Sequence, residues 1–319
     1  MRGADFVLRC KRLRIPRMTR PPAGSPAELR RATLALTVLS LIWGYNWIAM
    51  KVALAYATPI DAAAVRFALG ALALLPAAHF MGYGLLIPRK EWRMVGILSV
   101  SLAANFAFTL TALDLGGVGK TAVLVYTMPF WVVLFARILL KERMRNLQWM
   151  AVILALVGLL VLVDVTHLRG WLPSLLAVLA GLSWAASVVF IKSVQGKIKT
   201  HLMTLTVWQM ACCAGVLWLC GIVLGTPPIQ WTSGFAASIG FTAILGSAFS
   251  WMLFYYALAR LPAGMAGLGT LATPVIGVAA AWVHFGERPS GHDALGMLLI
   301  AVGLLLLAVP GYTSKPADI

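Results

Sequence analysis

The sequence predicts an all-α integral membrane protein: ten transmembrane helices arranged as two inverted five-helix repeats. Three observations predict it. Composition comes first, with 61% of residues hydrophobic and 11% charged, against about 45–50% and about 25% in ordinary globular domains. A doubled pattern comes second. Phe108-Thr109-Leu110-Thr111-Ala112-Leu113 leads through a Gly-rich break to Pro129 and Lys141-Glu142-Arg143, and Phe254-Tyr255-Tyr256-Ala257-Leu258 leads likewise to Pro274 and Gly286-Glu287-Arg288. Leu113 and Leu258, Pro129 and Pro274, Glu142 and Glu287, and Gly158 and Gly303 all stand 145 positions apart. The distribution of basic residues is the third.

At about 20 residues per crossing, apolar runs fall at 33–52, 60–81, 93–113, 119–140, 146–164, 172–192, 203–224, 235–258, 263–285 and 293–310. Within the first and sixth of these, Trp43 matches Trp184 and Lys51 matches Lys192, each at an offset of 141. The units expected are a basic arm over 1–32, one repeat over 33–164, a second over 172–310 and a tail over 311–319.

Of 26 Lys and Arg residues, 21 fall on one side if the amino terminus is cytoplasmic, four (Lys51, Lys120, Arg169, Arg288) fall on the other, and Arg66 lies within a span. This is the asymmetry of the positive-inside rule, and it places both termini in the cytoplasm. It also reads the high pI of about 10.3 as a topology signal rather than a nucleic-acid surface. Five spans per repeat is odd, so the second copy enters the membrane inverted. Two inverted halves rocking about a shared site is the architecture of alternating access.

Residues 1–31 hold nine basic side chains and no long apolar run, so a secretory signal is not expected. The arm reads as a disordered tail, with translation starting at Met1 or Met18, or as a segment touching anionic lipid headgroups.

Enzyme chemistry finds little support. Gly119-Lys120-Thr121 resembles the end of a phosphate-binding loop, but Asp114 stands where the motif needs glycine. The ten carboxylates keep to loops, tails and span ends, and no His or Cys spacing suggests a metal. Cys10, Cys212, Cys213 and Cys220 show no paired spacing. No catalytic residue, cofactor or metal is expected.

The spans carry neutral polar residues instead. Trp43, Asn46, Trp47 and Met50 recur at i, i+3, i+4 and i+7, which is one helical face. An amide at mid-span must find a partner or line a wet cavity. Arg66 lies well inside the second span, where a guanidinium costs at least about 2.5–3.5 kcal/mol on insertion scales. Asn105, Thr109 and Tyr126 follow in the first half, and Trp184, Gln209, Tyr255 and Thr270 in the second. Pro129 and Pro274 lack an N–H, so they free the carbonyls of Val125 and Thr270 and predict helix breaks. The candidate substrate-binding set is Asn46, Trp47, Arg66, Asn105, Tyr126, Trp184, Gln209, Tyr255 and Thr270.

In order, Ile42-Trp43-Gly44-Tyr45-Asn46-Trp47 with Lys51, Val65-Arg66-Phe67, Ala112-Leu113, Pro129, Lys141-Glu142-Arg143 and Gly158, then Tyr256-Ala257-Leu258, Pro274, Glu287-Arg288 and Gly303, form a series. That series resembles the drug/metabolite transporter superfamily, in particular its ten-helix permeases built from two EamA-type repeats. The resemblance covers 33–310. It implies a multi-pass protein of the bacterial inner membrane that exports amino acids or similar small metabolites. Gly117-Val118-Gly119-Lys120-Thr121 departs from the small residues usual before the fourth span, which bears on the outer vestibule. A channel-like facilitator, a drug efflux protein of the same fold and a non-transporting membrane scaffold stay open as alternatives. The partners expected are a small-molecule substrate and the lipid bilayer, with no nucleic acid; a homodimer stays open.

Overall fold

The structure, a computed structural model, describes residues 26–139, 146–163, 171–194, 200–258 and 272–308. Among these every regular element is helical. In chain order they are α1 (Pro26–Ala53), α2 (Pro59–Phe80), a short 3₁₀ turn (Arg89–Glu91), α3 (Trp92–Leu115), α4 (Val118–Val125) and α5 (Met128–Leu139). Then come α6 (Asn146–Val163), α7 (Trp171–Val194), α8 (Leu202–Leu224), α9 (Ser233–Gly240), a π-helical stretch (Phe241–Phe249), α10 (Ser250–Leu258), α11 (Ala272–Phe285) and α12 (Gly291–Ala308).

Among the described residues seven helical runs are long and apolar enough to cross a membrane, rather than the ten expected. Three shorter apolar helices, Trp149–Val161, Thr273–Phe285 and Gly291–Gly303, occupy the fifth, ninth and tenth expected spans. A large apolar surface faces outward, with Leu72, Ile138, Leu160, Trp218 and Val283 all exposed. Such a belt suits hydrocarbon surroundings, where packing between helices is the interior and lipid is the solvent.

Hydroxyl side chains cap three of the helix starts. Thr58 precedes Pro59, and its Oγ1 accepts the Asp61 N–H at 3.2 Å, with proline at a first-turn position that needs no donor. Thr232 accepts from Phe235 N–H at 3.1 Å, and Ser290 from Asp293 N–H at 3.1 Å.

Packing between the halves is reciprocal. The first helix of the second half, α7, lies on α3, α4 and α5, while α1 lies on α10 and α11; α2 pairs with α8, and α6 with α12. The α6–α12 crossing uses the repeat-related glycines. A β-carbon on Gly158 would stand 2.9 Å from the Gly296 carbonyl, and one on Gly303 would stand 3.0 Å from that of Ala151. Backbones approach this closely only where side chains are missing.

Candidate functional site

The fourth expected span is broken where Pro129 predicts it. α4 stops at Val125, Tyr126 and Thr127 form a turn, and α5 resumes at Met128. Thr127 donates to the Leu124 carbonyl twice, through Oγ1 at 2.7 Å and through its N–H at 3.2 Å. The freed Val125 carbonyl faces Gly181 of α7, where a β-carbon would lie 3.0 Å from it. The break turns Tyr126 inward. Its buried ring lies 6.5 Å from that of Trp47 and 6.0 Å from that of Trp184. Three of the predicted residues, from α1, the α4–α5 turn and α7, thus form one aromatic cluster between the halves.

A second break was not anticipated. The eighth span is π-helical over Phe241–Phe249, a conformation found mostly as short bulges inside α-helices and frequently at functional sites. Ser247 Oγ donates to the Thr242 carbonyl at 3.0 Å and Ser250 Oγ to that of Leu245 at 2.7 Å, both reaching back five residues. The stretch lies against the predicted face of α1. Trp43 Nε1 donates to the Gly246 carbonyl at 3.1 Å. The Asn46 amide lies directly over Gly246, in the space a β-carbon there would take.

Arg66 meets the same segment from α2. It is only 5% exposed. Its Nε donates to Ser247 Oγ at 3.0 Å and its Nη1 to Met50 Sδ at 2.9 Å. The guanidinium stands 4.7 Å from the Phe106 ring centroid and 5.7 Å from that of Phe67, within the range of cation–π attraction. Among the described residues no carboxylate lies within ion-pair distance of it. Asn46 Oδ1 and Thr109 Oγ1 are both buried without a hydrogen-bond partner among the described residues. Ser247 and Gly246 are the residues sequence reasoning missed; the signal available was the run of small residues Gly246-Ser247-Ala248 at membrane depth.

Other candidates are held elsewhere. Asn105 donates to the Ala180 carbonyl at 2.7 Å and Gln209 to the Leu98 carbonyl at 3.2 Å. Their side-chain amides therefore tie α3 to α7 and α8. The side chain of Tyr255, and the whole of Thr270, lie outside the described residues. So does the break expected from Pro274, which itself lies in α11.

One end of the bundle is closed by charged side chains on helix termini. Lys51 Nζ donates to the Leu113, Asp114 and Gly116 carbonyls at 2.6, 3.1 and 3.3 Å, placing a cation on the negative end of α3. Glu287 accepts from the Val118 N–H at 2.7 Å and the Gly119 N–H at 3.4 Å. Glu287 adjoins Arg288 in the sequence. The structure instead aims Glu287 at the α4 N-terminus and places Arg288 5.9 Å from the Trp282 ring centroid. Glu142, the repeat mate of Glu287, lies outside the described residues. Lys120 forms an ion pair with Asp293 at 3.9 Å and borders a cavity of about 140 Å³ with Gly117, Thr121 and Pro173.

At the other end His201 caps α8, with Nδ1 accepting the Met203 N–H at 3.2 Å. Its ring stacks on Tyr83 at 3.9 Å. Partial burial pushes the His201 imidazole below its ordinary 6.5.

The model of the EamA-like transporter family matches the chain twice, over residues 30–164 and 171–309. An uncharacterized transporter of Bacillus subtilis, YoaV, is 27% identical over 86% of this chain and 96% of its own length. A probable amino-acid metabolite efflux pump of Escherichia coli is 26% identical over 86% and 93%. A protein crystal structure superposes with a TM-score of 0.63 over 86% of this chain and 95% of its own, at 21% identity, a likeness of fold.

Proposed function

We propose, on the premise that the chain belongs to the EamA-like transporter family, that it is a secondary carrier of the bacterial inner membrane. It exports a small metabolite, an amino acid or a related compound, by alternating access, and it performs no enzymatic step. The observation that carries this reading is the buried polar cluster on the interrupted eighth span: Asn46 and Arg66 meet Gly246 and Ser247 at the interface between the halves. In hydrocarbon, irregular backbone and polar side chains persist only where protein or a water-filled cavity receives them, and carriers place substrate sites at such breaks near mid-membrane.

Ten crossings in two inverted repeats, with both termini cytoplasmic, complete the reading. The reciprocal packing of α1 and α7 supports it, as does the charge split in the sequence. The substrate class draws support from the Escherichia coli relative whose name carries amino-acid metabolite efflux. Rocking of the halves would open the Asn46–Arg66 region to one side and then the other.

The test is counterflow. Purified protein in liposomes preloaded with individual amino acids and related metabolites should exchange at least one of them faster than empty liposomes. Flux that only runs down a gradient, with no exchange stimulated from the opposite side, would favour a channel-like facilitator. No flux of any solute would overturn the reading.

A further inference from the structure

We infer that Arg66 is a carboxylate receptor: the solute presents a carboxylate to its guanidinium and a hydrogen-bond donor to Asn46 Oδ1. This rests on the transport reading above and names the chemistry of the ligand.

Three observations converge. The guanidinium is buried, and among the described residues no carboxylate is within ion-pair distance. Burial of an unpaired charge is costly, and a partner that arrives and leaves offsets the cost in only part of a cycle. Its present partners are a neutral hydroxyl and a thioether, both weaker acceptors than a carboxylate, which can take two parallel N–H bonds from the guanidinium fork. The second observation is Asn46 Oδ1, an acceptor buried without a partner among the described residues. The third is placement: Asn46 lies on Gly246 and Arg66 on Ser247. Consecutive α-carbons are about 3.8 Å apart, so one small molecule can span both functions.

The exchange has a structural consequence. The Arg66–Ser247 bond ties α2 to the π-helical stretch. A carboxylate that takes Nε competes with Ser247 for it and releases that tie. Ligand binding and loosening of the eighth span then become one event. A ligand favours the conformation in which it makes the better contacts, and that preference sets how far the equilibrium moves.

The experiment is thermal unfolding of the purified full chain in detergent, read by tryptophan fluorescence. The probes are the common amino acids and their 2-hydroxy acid analogues, each beside its carboxamide. In the wild type at least one acid should raise the unfolding midpoint while its amide does not. Arg66→Gln should weaken the apparent affinity of that acid by about 10- to 100-fold, and Arg66→Lys by less. Ser247→Ala removes the competitor, and should tighten acid binding a few-fold; it carries the test if Arg66→Gln fails to fold. Amides as effective as acids, acids as effective on Arg66→Gln, Ser247→Ala without effect, or no acid acting on the wild type overturns the inference. Counterflow separates the two proposals. Flux of a neutral or cationic solute that survives Arg66→Gln sinks the receptor and keeps the carrier, whereas Arg66-dependent acid binding without any flux does the reverse.

Discussion

The Glu287 carboxylate accepts the Val118 N–H at 2.7 Å, 169 positions earlier in the chain. One residue that closes α11 thereby caps the first turn of α4 in the other half. An anion at a helix N-terminus satisfies donors that have no intrahelical partner and faces the positive end of the macrodipole. Glu287→Gln keeps an acceptor but loses the charge, and should cost about 0.3–1 kcal/mol. Glu287→Leu leaves the buried Val118 N–H unpaired and should cost about 1–3 kcal/mol. Thermal unfolding in detergent ranks the two variants, and equal midpoints for both would show that the contact does not hold the halves.

The same contact bears on coupling. Glu287 is spent on backbone donors at one end of the bundle, and Asp61 and Asp293 likewise take part in capping. An imposed pH gradient across proteoliposomes should therefore change initial rates only modestly and should not drive accumulation. Accumulation that follows the gradient and vanishes in Glu287→Gln would make that carboxylate the proton carrier.

A β-carbon on Gly246 would overlap the Asn46 side chain. Gly246→Ala should destabilise the protein by about 1–3 kcal/mol through overpacking. Asn46→Ala makes room, so the double variant should recover much of that loss, a coupling read from a double-mutant cycle of unfolding midpoints. Additive losses would place the amide away from this glycine.

His201 gives a pH dependence with a definite sign. Its folded-state pKa lies below 6.5, so the folded state resists protonation. The stability it contributes is present above pH 6.5 and declines as pH falls through the lowered value. Protonated Nδ1 becomes a donor and can no longer accept the Met203 N–H. Hydrogen exchange at the start of α8 should accelerate in that window. His201→Asn keeps a good cap without titrating and should flatten the profile.

Topology is checked by fusions. A reporter joined after Tyr312 should be active only if it works in the cytoplasm, because the proposed ten crossings would return the chain to the side where it began. Periplasmic activity there would remove one span and the inversion with it.

How far the sequence reached can be judged residue by residue. Pro129 alone located the break at Tyr126–Thr127, because a missing N–H is a local covalent fact. Gly158 and Gly303 were legible as a repeat pair, and they meet the facing backbones at the α6–α12 crossing. The π-helical stretch was not legible, since Phe241–Phe249 carries no proline and has the mixed apolar composition of any crossing helix. Nor was the fate of the amides. Asn46, Asn105 and Gln209 look alike in the sequence, yet two bond neighbouring carbonyls while one keeps an acceptor with no partner among the described residues.

By itself the sequence determined the apolar helices, their doubling and the uneven spacing of basic residues along the chain. These follow from composition, periodicity and linear charge order, which need no knowledge of neighbours. Only the tertiary structure decided which polar groups share a site. Arg66 finds Ser247 across 181 positions, and Trp47, Tyr126 and Trp184 converge from three helices. The reason is geometric: a hydrogen bond is made or lost within a few tenths of an ångström. The rotation of each helix about its axis, which sets that distance, is fixed by the packing of all the others.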